Sequence, residues 1–403
     1  MKKHILVVSQ YFYPENFRIN DICFEWVKRG YKVTVLTGIP NYPKGKFFTG
    51  YGWFRKRKEV INGVKVVRIP IIPRRNNSVF LAMNYFSFVI SGWFWKLFTP
   101  IKPDLVFNFE VSPMTQALPG IWLAKRRKIP FYIYVQDLWP ENLEIVGNVK
   151  NRFILKRVNK MVDYIYKNSK KILVTSKAFK TSIKTRGIDA EKIIFWPQYA
   201  EDFYKPINED RNNQVFTVMF TGNIGDAQGL EILPRVASKI KDDGLNKKVR
   251  FVLVGDGRSK ERLKSKVSEL NVSEMFEFID QQPSEKMPEY LAEADVAFLS
   301  FSENELFKMT IPAKLQTYLA CGKPIYAVVS GESEKVIKES NTGFFSKPGD
   351  INAAYNNLIK FIHLPKDDLV TMSKNAILYS QTNYNKKTLM DDFDKIIEEV
   401  NHV

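Results

Sequence analysis

Four times between residues 215 and 326 a short apolar run ends in a glycine or polar turn and gives way to a helical pattern. The runs are VFTVMFT, RFVLVG, MFEFID and DVAFLS. Runs this short and this apolar read as strands buried on both faces. Strands that alternate with helices build a parallel, doubly wound sheet, whose strands all end on one edge. Residues 300–324, SFSENELFKMTIPAKLQTYLACGKP, show the unit most fully. The strand closes near Ser300 and a polar segment follows. Pro312 suits the first turn of a helix, where a missing N–H costs nothing. Leu315, Tyr318 and Leu319 recur at helical spacing, Gly322 suits the left-handed position that ends a helix, and Pro324 follows it. A helix start over 310–313 therefore turns free N–H groups toward the strand edge, which is an anion-binding arrangement. An ordinary strand–helix–strand unit without a ligand has the same outline.

The rhythm also fills the N-terminal half. HILVVS (4–9), KVTVLTG (32–38), VKVVRIPII (64–72), DLVFNF (104–109), PFYIYVQ (130–136) and KILVTS (171–176) read as strands. A helix through Ile22, Phe24, Trp26 and Val27 is ended by Gly30, and KIIFWPQYA reads as a strand leaving the domain. Residues 41–53 form a Gly-, Pro- and aromatic-rich loop too long for a plain connection. Residues 200–214 are polar and aperiodic, as a linker is. The expected fold class is α/β, two Rossmann-like doubly wound parallel-sheet domains, 1–199 and 215–380, facing a cleft. Residues 381–403 add a C-terminal helix with Leu389, Phe393, Ile396, Ile397 and Val400 on one face.

A chain of 403 residues can supply both cores. Residues 1–200 hold 35 Lys+Arg against 12 Asp+Glu, and residues 201–403 hold 26 against 31, so the net charge of +18 comes from the first half. Nucleic acid or an anionic membrane would suit such a half; a solvated basic face is the bland alternative. Met1-Lys2-Lys3 leads directly into a strand, so no secretory signal is expected. Two cysteines, Cys23 and Cys321, fit a reducing compartment. His4, His363 and His402 have no ligand partners at useful spacing, which disfavours a His/Cys metal site or a histidine triad. Asp392 and Asp394 are the only spaced Asp pair, on the C-terminal helix, so no metal is expected.

Residues 78–95, SVFLAMNYFSFVISGWFW, carry no charge. They approach the length of a membrane span, but Asn84, Ser87 and Ser91 interrupt them and strands continue on both sides. The expectation is a first-domain helix with aromatic residues docked in a bilayer interface; the alternative is a helix buried in the core.

GNIGDAQG places Gly222, Asn223, Gly225 and Gln228 at the first strand end of the second domain, and VGDGRSKERL places Gly255, Asp256, Gly257 and Arg258 at the next. IDQQP adds Ile279 and Gln281, positioned to read a base, and the fourth strand end brings Lys308, Thr310, Lys314 and Thr317. Glycines here allow a phosphate to approach backbone N–H groups. Four such turns on one edge point to a nucleotide diphosphate. A dehydrogenase fits poorly, since the first strand runs into SQYFYPEN rather than G-x-G-x-x-G, and no P-loop occurs. In the first domain Glu110 and Asp137 lie at strand ends; Asp137 as a mere turn cap and Glu110 as a solvated loop residue are the bland readings.

Together VSQYFYPE, LTGIPNYPKG, VQDLWPEN, FTGNIGDAQGLE, VLVGDGRSKERL and TIPAKLQTYLACGKPI resemble glycosyltransferase family 4, of the GT-B fold. The nearest likeness is to bacterial O-antigen and capsule enzymes, including L-fucosamine (N-acetyl-fucosamine) transferases. The resemblance implies a retaining, metal-independent transferase without a cofactor. It would move a hexose-type sugar, an N-acetylated amino sugar, from a UDP-linked donor held by the second domain. The acceptor, a polyprenyl-diphosphate-linked sugar, would lie on the first domain, with Glu15, Asn16 and Arg18 beside it. The C-terminal helix would cross back to the first domain. The enzyme would work in the cytoplasm, at the anionic inner face of the cell membrane, without nucleic acid. Glu110, Asp137 and Lys314 are the candidate catalytic residues. The family's usual glutamate pair falls here on Met309 and Thr317, and its usual Arg and Lys on Asn223 and Gln228. Lys308 and Lys314 would then offset the charge of the leaving diphosphate, with Thr310 and Thr317 bonding phosphate or ribose. The alternatives are a nucleotide-sugar 2-epimerase of the same fold, or a non-catalytic membrane or nucleic-acid binding protein.

Overall fold

Strand order is what identifies the architecture. The computed structural model describes residues 2–75, 77–207 and 215–398. The chain divides into two compact units, Met1–Trp196 and Pro197–Val403. Residues 208–214 of the expected linker, and Val400 of the expected apolar face, lie outside the described residues.

The first unit contains β1 (His4–Val8), β2 (Lys32–Gly38), β3 (Lys58–Ile61), β4 (Val64–Ile69), β5 (Leu105–Glu110), β6 (Phe131–Val135), β7 (Lys171–Val174) and β8 (Ile193–Phe195). They form one sheet in the order β3-β4-β2-β1-β5-β6-β7-β8. Every neighbour pair is parallel except β3, which runs antiparallel to β4. The order reverses between β1 and β5, so the crevice of this sheet lies at their carboxyl ends. β1, β5 and β6 are apolar because helices cover both faces of the sheet, and β5 and β6 are buried throughout.

The second unit contains β9 (Phe216–Thr221), β10 (Val249–Val254), β11 (Phe276–Ile279), β12 (Val296–Ser300), β13 (Ile325–Val328) and β14 (Gly343–Ser346). The order β11-β10-β9-β12-β13-β14 is fully parallel, and it is the doubly wound order with its switch point between β9 and β12. Val218, Phe220, Val236, Phe251, Leu253 and Phe298 lie in one buried cluster on one face, and Leu299, Leu315, Tyr318, Leu319 and Ala327 in another on the opposite face.

The strand β3 and the helix Lys366–Asn383 were not foreseen. β3 is half exposed, with Lys58 and Glu59 breaking any apolar run, yet Asn62 (φ 46°) and Gly63 (φ 82°) form the two-residue turn that pairs it with β4. The helix Lys366–Asn383 buries only Ala376 and Ser380 and has no apolar stripe. The helix Ser78–Phe98 extends the expected 78–95 and overturns the buried-core alternative, since its buried residues are Asn84, Phe88 and Gly92 alone. Its polar residues face inward. Asn84 Nδ2 donates to the Ile72 carbonyl (2.6 Å), Gln10 Nε2 donates to Asn84 Oδ1 (2.6 Å), and Ser91 Oγ donates to the Pro70 carbonyl (2.6 Å). At Gly92 a Cβ would meet Pro119 at 2.5 Å, so this glycine lets the helix close onto the helix Ala117–Arg127.

Candidate active site

In the second unit the strand-end loops are locked to one another through backbone. The Gly222 N–H donates to the Val254 carbonyl (2.8 Å) and the Ile224 N–H to the Asp256 carbonyl (2.8 Å). Gly255 (φ 153°) lies so close that a Cβ would sit 1.9 Å from the Gly222 carbonyl oxygen. The loops after β9 and β10 thus need glycine for close approach as well as for torsion. Lys260 ties in the loop after β11: its buried ammonium donates to the Gly255 carbonyl (3.1 Å) and to Asp280 Oδ1 (2.6 Å). Ile279, half-buried, accepts from the Gly255 N–H (2.9 Å), while Gln281 is exposed.

The loop after β12 joins the same edge. The Ser302 N–H donates to the Ala227 carbonyl (2.9 Å), and Ser300 Oγ to the Gln228 carbonyl (2.5 Å). The helix Ala313–Ala320 then begins, with Pro312 at its N-cap in an extended conformation rather than inside the first turn. Tyr318 fixes the helix against β9, its hydroxyl accepting the Thr221 N–H (3.0 Å). A fifth loop, after β13, was not singled out in the sequence. Gly331 (φ 75°) packs against the Lys308 carbonyl, Ser333 Oγ donates to the Thr310 carbonyl (3.0 Å), and Glu332 is buried at the start of the helix Glu332–Ser340. The signal was Gly331 between an apolar strand and E-x-E.

Lys314 is the electrostatic centre of this edge. Its Nζ lies 3.9 Å from the Phe220 ring centroid, and a Cβ on Gly222 would sit 2.7 Å from its Cε. Burial of the ammonium alone pushes its pKa down to about 7, and among the described residues no carboxylate forms an ion pair with it. A half-buried, desolvated ammonium beside a glycine turn and a helix start is charge placed for an anion. The other candidate cations are engaged and more open. Lys308 pairs with Glu305 (2.6 Å), and Arg258 with Asp226 (2.7 Å). Hydrogen bonds from Ser259 and Arg262 hold the Asp226 carboxyl below its ordinary range.

The threonines bond the backbone of their own helical turns. Thr310 Oγ1 donates to the Leu306 carbonyl (2.9 Å) and Thr317 Oγ1 to the Lys314 carbonyl (2.9 Å). Both hydroxyls are thus engaged with the preceding helical turn and keep acceptor capacity toward a ribose; donating to a phosphate would require them to leave these carbonyls. Asn223 is exposed, and Gln228 Oε1 accepts from the Gly225 N–H (3.1 Å), bracing the turn.

In the first unit Glu110 closes β5 and is fully buried rather than a solvated loop residue. Neither carboxylate oxygen completes a hydrogen bond in the described structure. Burial first, and the nearby Asp137 charge second, raise its pKa well above the carboxylate range, partly offset by the Asp137 and Gln136 N–H groups. Asp137 is also raised by burial, but its Oδ2 accepts from the Ser112 N–H (2.8 Å) and Oγ (2.7 Å), which favour the charged form and offset part of that rise. Asp137 therefore caps the turn after β5, not the turn that follows itself, and Trp139 Nε1 donates to the same Ser112 hydroxyl (3.2 Å). Glu15 is buried and braces two loops: Oε1 accepts from the Asn41 (2.8 Å) and Tyr42 (2.7 Å) N–H groups, and burial raises its pKa to about 7. That carboxylate is a staple for residues 39–45 rather than an open acceptor ligand. Arg18 begins the helix Arg18–Lys28, and Asn16 lies in the loop before it. Among the described residues no group of three or more His, Cys, Asp or Glu could hold a metal; Asp392 pairs with Lys395 (3.1 Å).

Residues 17–198 match the model for Glycosyltransferase Family 4, and residues 204–379 match the model for Glycosyl transferases group 1. A putative colanic acid biosynthesis glycosyl transferase, WcaI of Escherichia coli K12, is 24% identical over 399 residues, 92% of each chain. Among solved structures, sucrose-phosphate synthase from Thermosynechococcus elongatus superposes with a TM-score of 0.78 at 15% identity, over 99% of each chain. Anabaena HepE, in complex with UDP and glucose, gives 0.72 at 15% identity, over 99% of this chain and 100% of its own. With a transferase model on each half and a transferase relative along nine-tenths of its length, the chain is a GT-B-fold glycosyltransferase related to bacterial capsule and O-antigen enzymes.

Proposed function

We propose that the protein transfers a hexose-type sugar, with retention, from a UDP-sugar to a lipid-linked acceptor in bacterial surface-polysaccharide synthesis. The observation that carries the donor half of this reading is Lys314, a half-buried cation without a carboxylate partner among the described residues, at the edge where five strand-end loops are tied together. A nucleoside diphosphate supplies the missing negative charge, and the glycine turns at Gly222, Gly255 and Gly257 let its phosphates reach backbone N–H groups. UDP rather than another nucleotide is favoured because HepE, of the same fold, holds UDP. The surface-polysaccharide role follows WcaI. An N-acetylated amino sugar such as L-fucosamine, and a polyprenyl-diphosphate-linked acceptor at the cytoplasmic face of the membrane, rest on the sequence resemblance.

On this reading Lys314 offsets charge on the leaving diphosphate, and the fixed backbone dipoles of the turns do the rest. Glu110 and Asp137, at the strand edge of the other unit, would face the acceptor. A panel of nucleotide sugars read by thermal shift tests the donor, since a ligand at 100 times its Kd stabilises by about 2.7 kcal/mol. UDP-sugars are expected to raise Tm and GDP-sugars to leave it unchanged. Labelled donor with a polyprenyl-diphosphate-linked acceptor then tests the reaction. Sugar on lipid supports transfer, an epimerised donor without acceptor supports the epimerase, and neither product sinks both.

A further inference from the structure

The helix Ser78–Phe98 wears its amphipathicity inside out. Asn84 and Ser91 bond the protein, while Val79, Met83, Phe86, Ile90, Phe94 and Phe98 are exposed. Phe86 is 62% exposed and Phe98 81%. Spaced three and four apart, these side chains make one apolar stripe along the helix. Cations flank both ends. Arg75 sits over the Phe80 ring (4.2 Å) at the start, and at the end Lys96 sits over Trp93 (5.5 Å) while Arg126 Nη1 donates to the Lys96 carbonyl (2.8 Å). The helix packs on Ala117–Arg127, which packs in turn on Arg152–Lys167. Those neighbours present Lys125 and Arg126, and Phe153 and Ile154 beside Lys156 and Arg157, all exposed.

We propose that this face docks on an anionic bilayer with the helix Ser78–Phe98 lying in the plane of the membrane. The proposal rests on the transfer reading only for its purpose, bringing the enzyme to a lipid-borne acceptor. The occupant is lipid rather than a protein groove because a long apolar stripe ringed by lysine and arginine matches acyl chains below and anionic headgroups above. The helix is long and apolar enough to span. Spanning, however, would pull Asn84 from Gln10 and Ile72, and Ser91 from Pro70, leaving these groups unpaired in hydrocarbon. The Gln10–Asn84 bond also ties the helix to the segment just past β1, so docking places that strand end at the membrane surface.

Flotation with vesicles of phosphatidylglycerol and phosphatidylethanolamine tests this without donor or acceptor, and so stands apart from the assay of transfer. The wild-type protein is expected to float at moderate salt and to bind phosphatidylcholine vesicles far more weakly. The double variant Phe86→Ser, Phe94→Ser should lose about tenfold or more in vesicle affinity, with unchanged Tm and unchanged UDP-induced thermal shift. A wild-type protein that ignores anionic vesicles, or a variant that binds them equally well, overturns the proposal. Alkaline carbonate should strip the wild-type protein from vesicles; retention would show a spanning helix and overturn the in-plane placement. A variant with lowered Tm is replaced in the same assay by Phe98→Ser, at the exposed end of the stripe, where folding is not at stake.

Discussion

Lys314→Ala is expected to lower sugar transfer by more than about tenfold, a loss above ~1.4 kcal/mol of transition-state stabilisation. The residue is a half-buried cation at the loop edge with no ion-pair partner among the described residues, and near-normal turnover in the variant would refute the donor site. The same ammonium should make donor binding depend on pH. Burial lowers its pKa from 10.5 to about 7. Between those values the unfolded chain binds a proton that the folded chain does not, so the unliganded protein gains stability as pH rises through that window. A diphosphate beside Nζ restores the charged form, and binding therefore takes up a proton. UDP affinity should weaken by about tenfold per unit as pH rises from ~7 to ~9. Calorimetry in buffers of different ionisation heat reads the uptake directly. Lys314→Met should bind weakly and with a flat profile; a flat profile in the wild-type protein would mean that the phosphates sit elsewhere.

Most of the sheet architecture was legible because parallel strands buried on both faces are short and largely apolar, as in VTVL of β2 and VAFL of β12. β3 was not, since one face is open and KEVI carries charge; the Asn62-Gly63 turn was the available signal. The helix Lys366–Asn383 escaped because only Ala376 and Ser380 are buried, so periodicity is absent from the sequence by necessity. At the site, glycine spacing revealed the loops but not what the side chains do. Sequence alone could not show that Thr310 and Thr317 are engaged with helix carbonyls, that Glu15 staples two loops, or that Arg258 is drawn to Asp226. Those are pairings across long stretches of chain or choices of rotamer, and no local pattern encodes them. The reverse held for residues 78–98. Asn84, Ser87 and Ser91 looked like interruptions of an apolar run, and they are the face by which the helix holds the protein.

Glu110→Gln should make the protein more stable and less active at once. Glu110 is buried, its oxygens complete no hydrogen bonds in the described structure, and its pKa is raised first by burial and then by Asp137. A raised carboxyl favours the fold only while it is protonated. Above the unfolded-chain value near 4.5 the unfolded state sheds a proton that the folded state keeps, so stability falls as pH rises. Glutamine has the shape of the protonated carboxyl without that cost. The Tm of the variant should therefore exceed that of the wild-type protein by an amount that grows from pH 5 to pH 8, about 2–4 °C for each kcal/mol recovered. If the carboxyl exchanges a proton with the acceptor hydroxyl, transfer should fall by about tenfold or more, within the usual range for a general acid or base, while the UDP thermal shift persists. A stabilised variant with full activity would make Glu110 a packing residue and move the acceptor chemistry to Asp137. A destabilised variant would mean that the carboxylate is charged and paired in the fold, against the burial seen at the end of β5. A buried carboxyl at the switch point of the sheet, with only the Gln136 and Asp137 N–H groups to offset its burial, is the kind of perturbed group that clusters where chemistry is done, and the paired readout of stability and transfer decides whether this one is used.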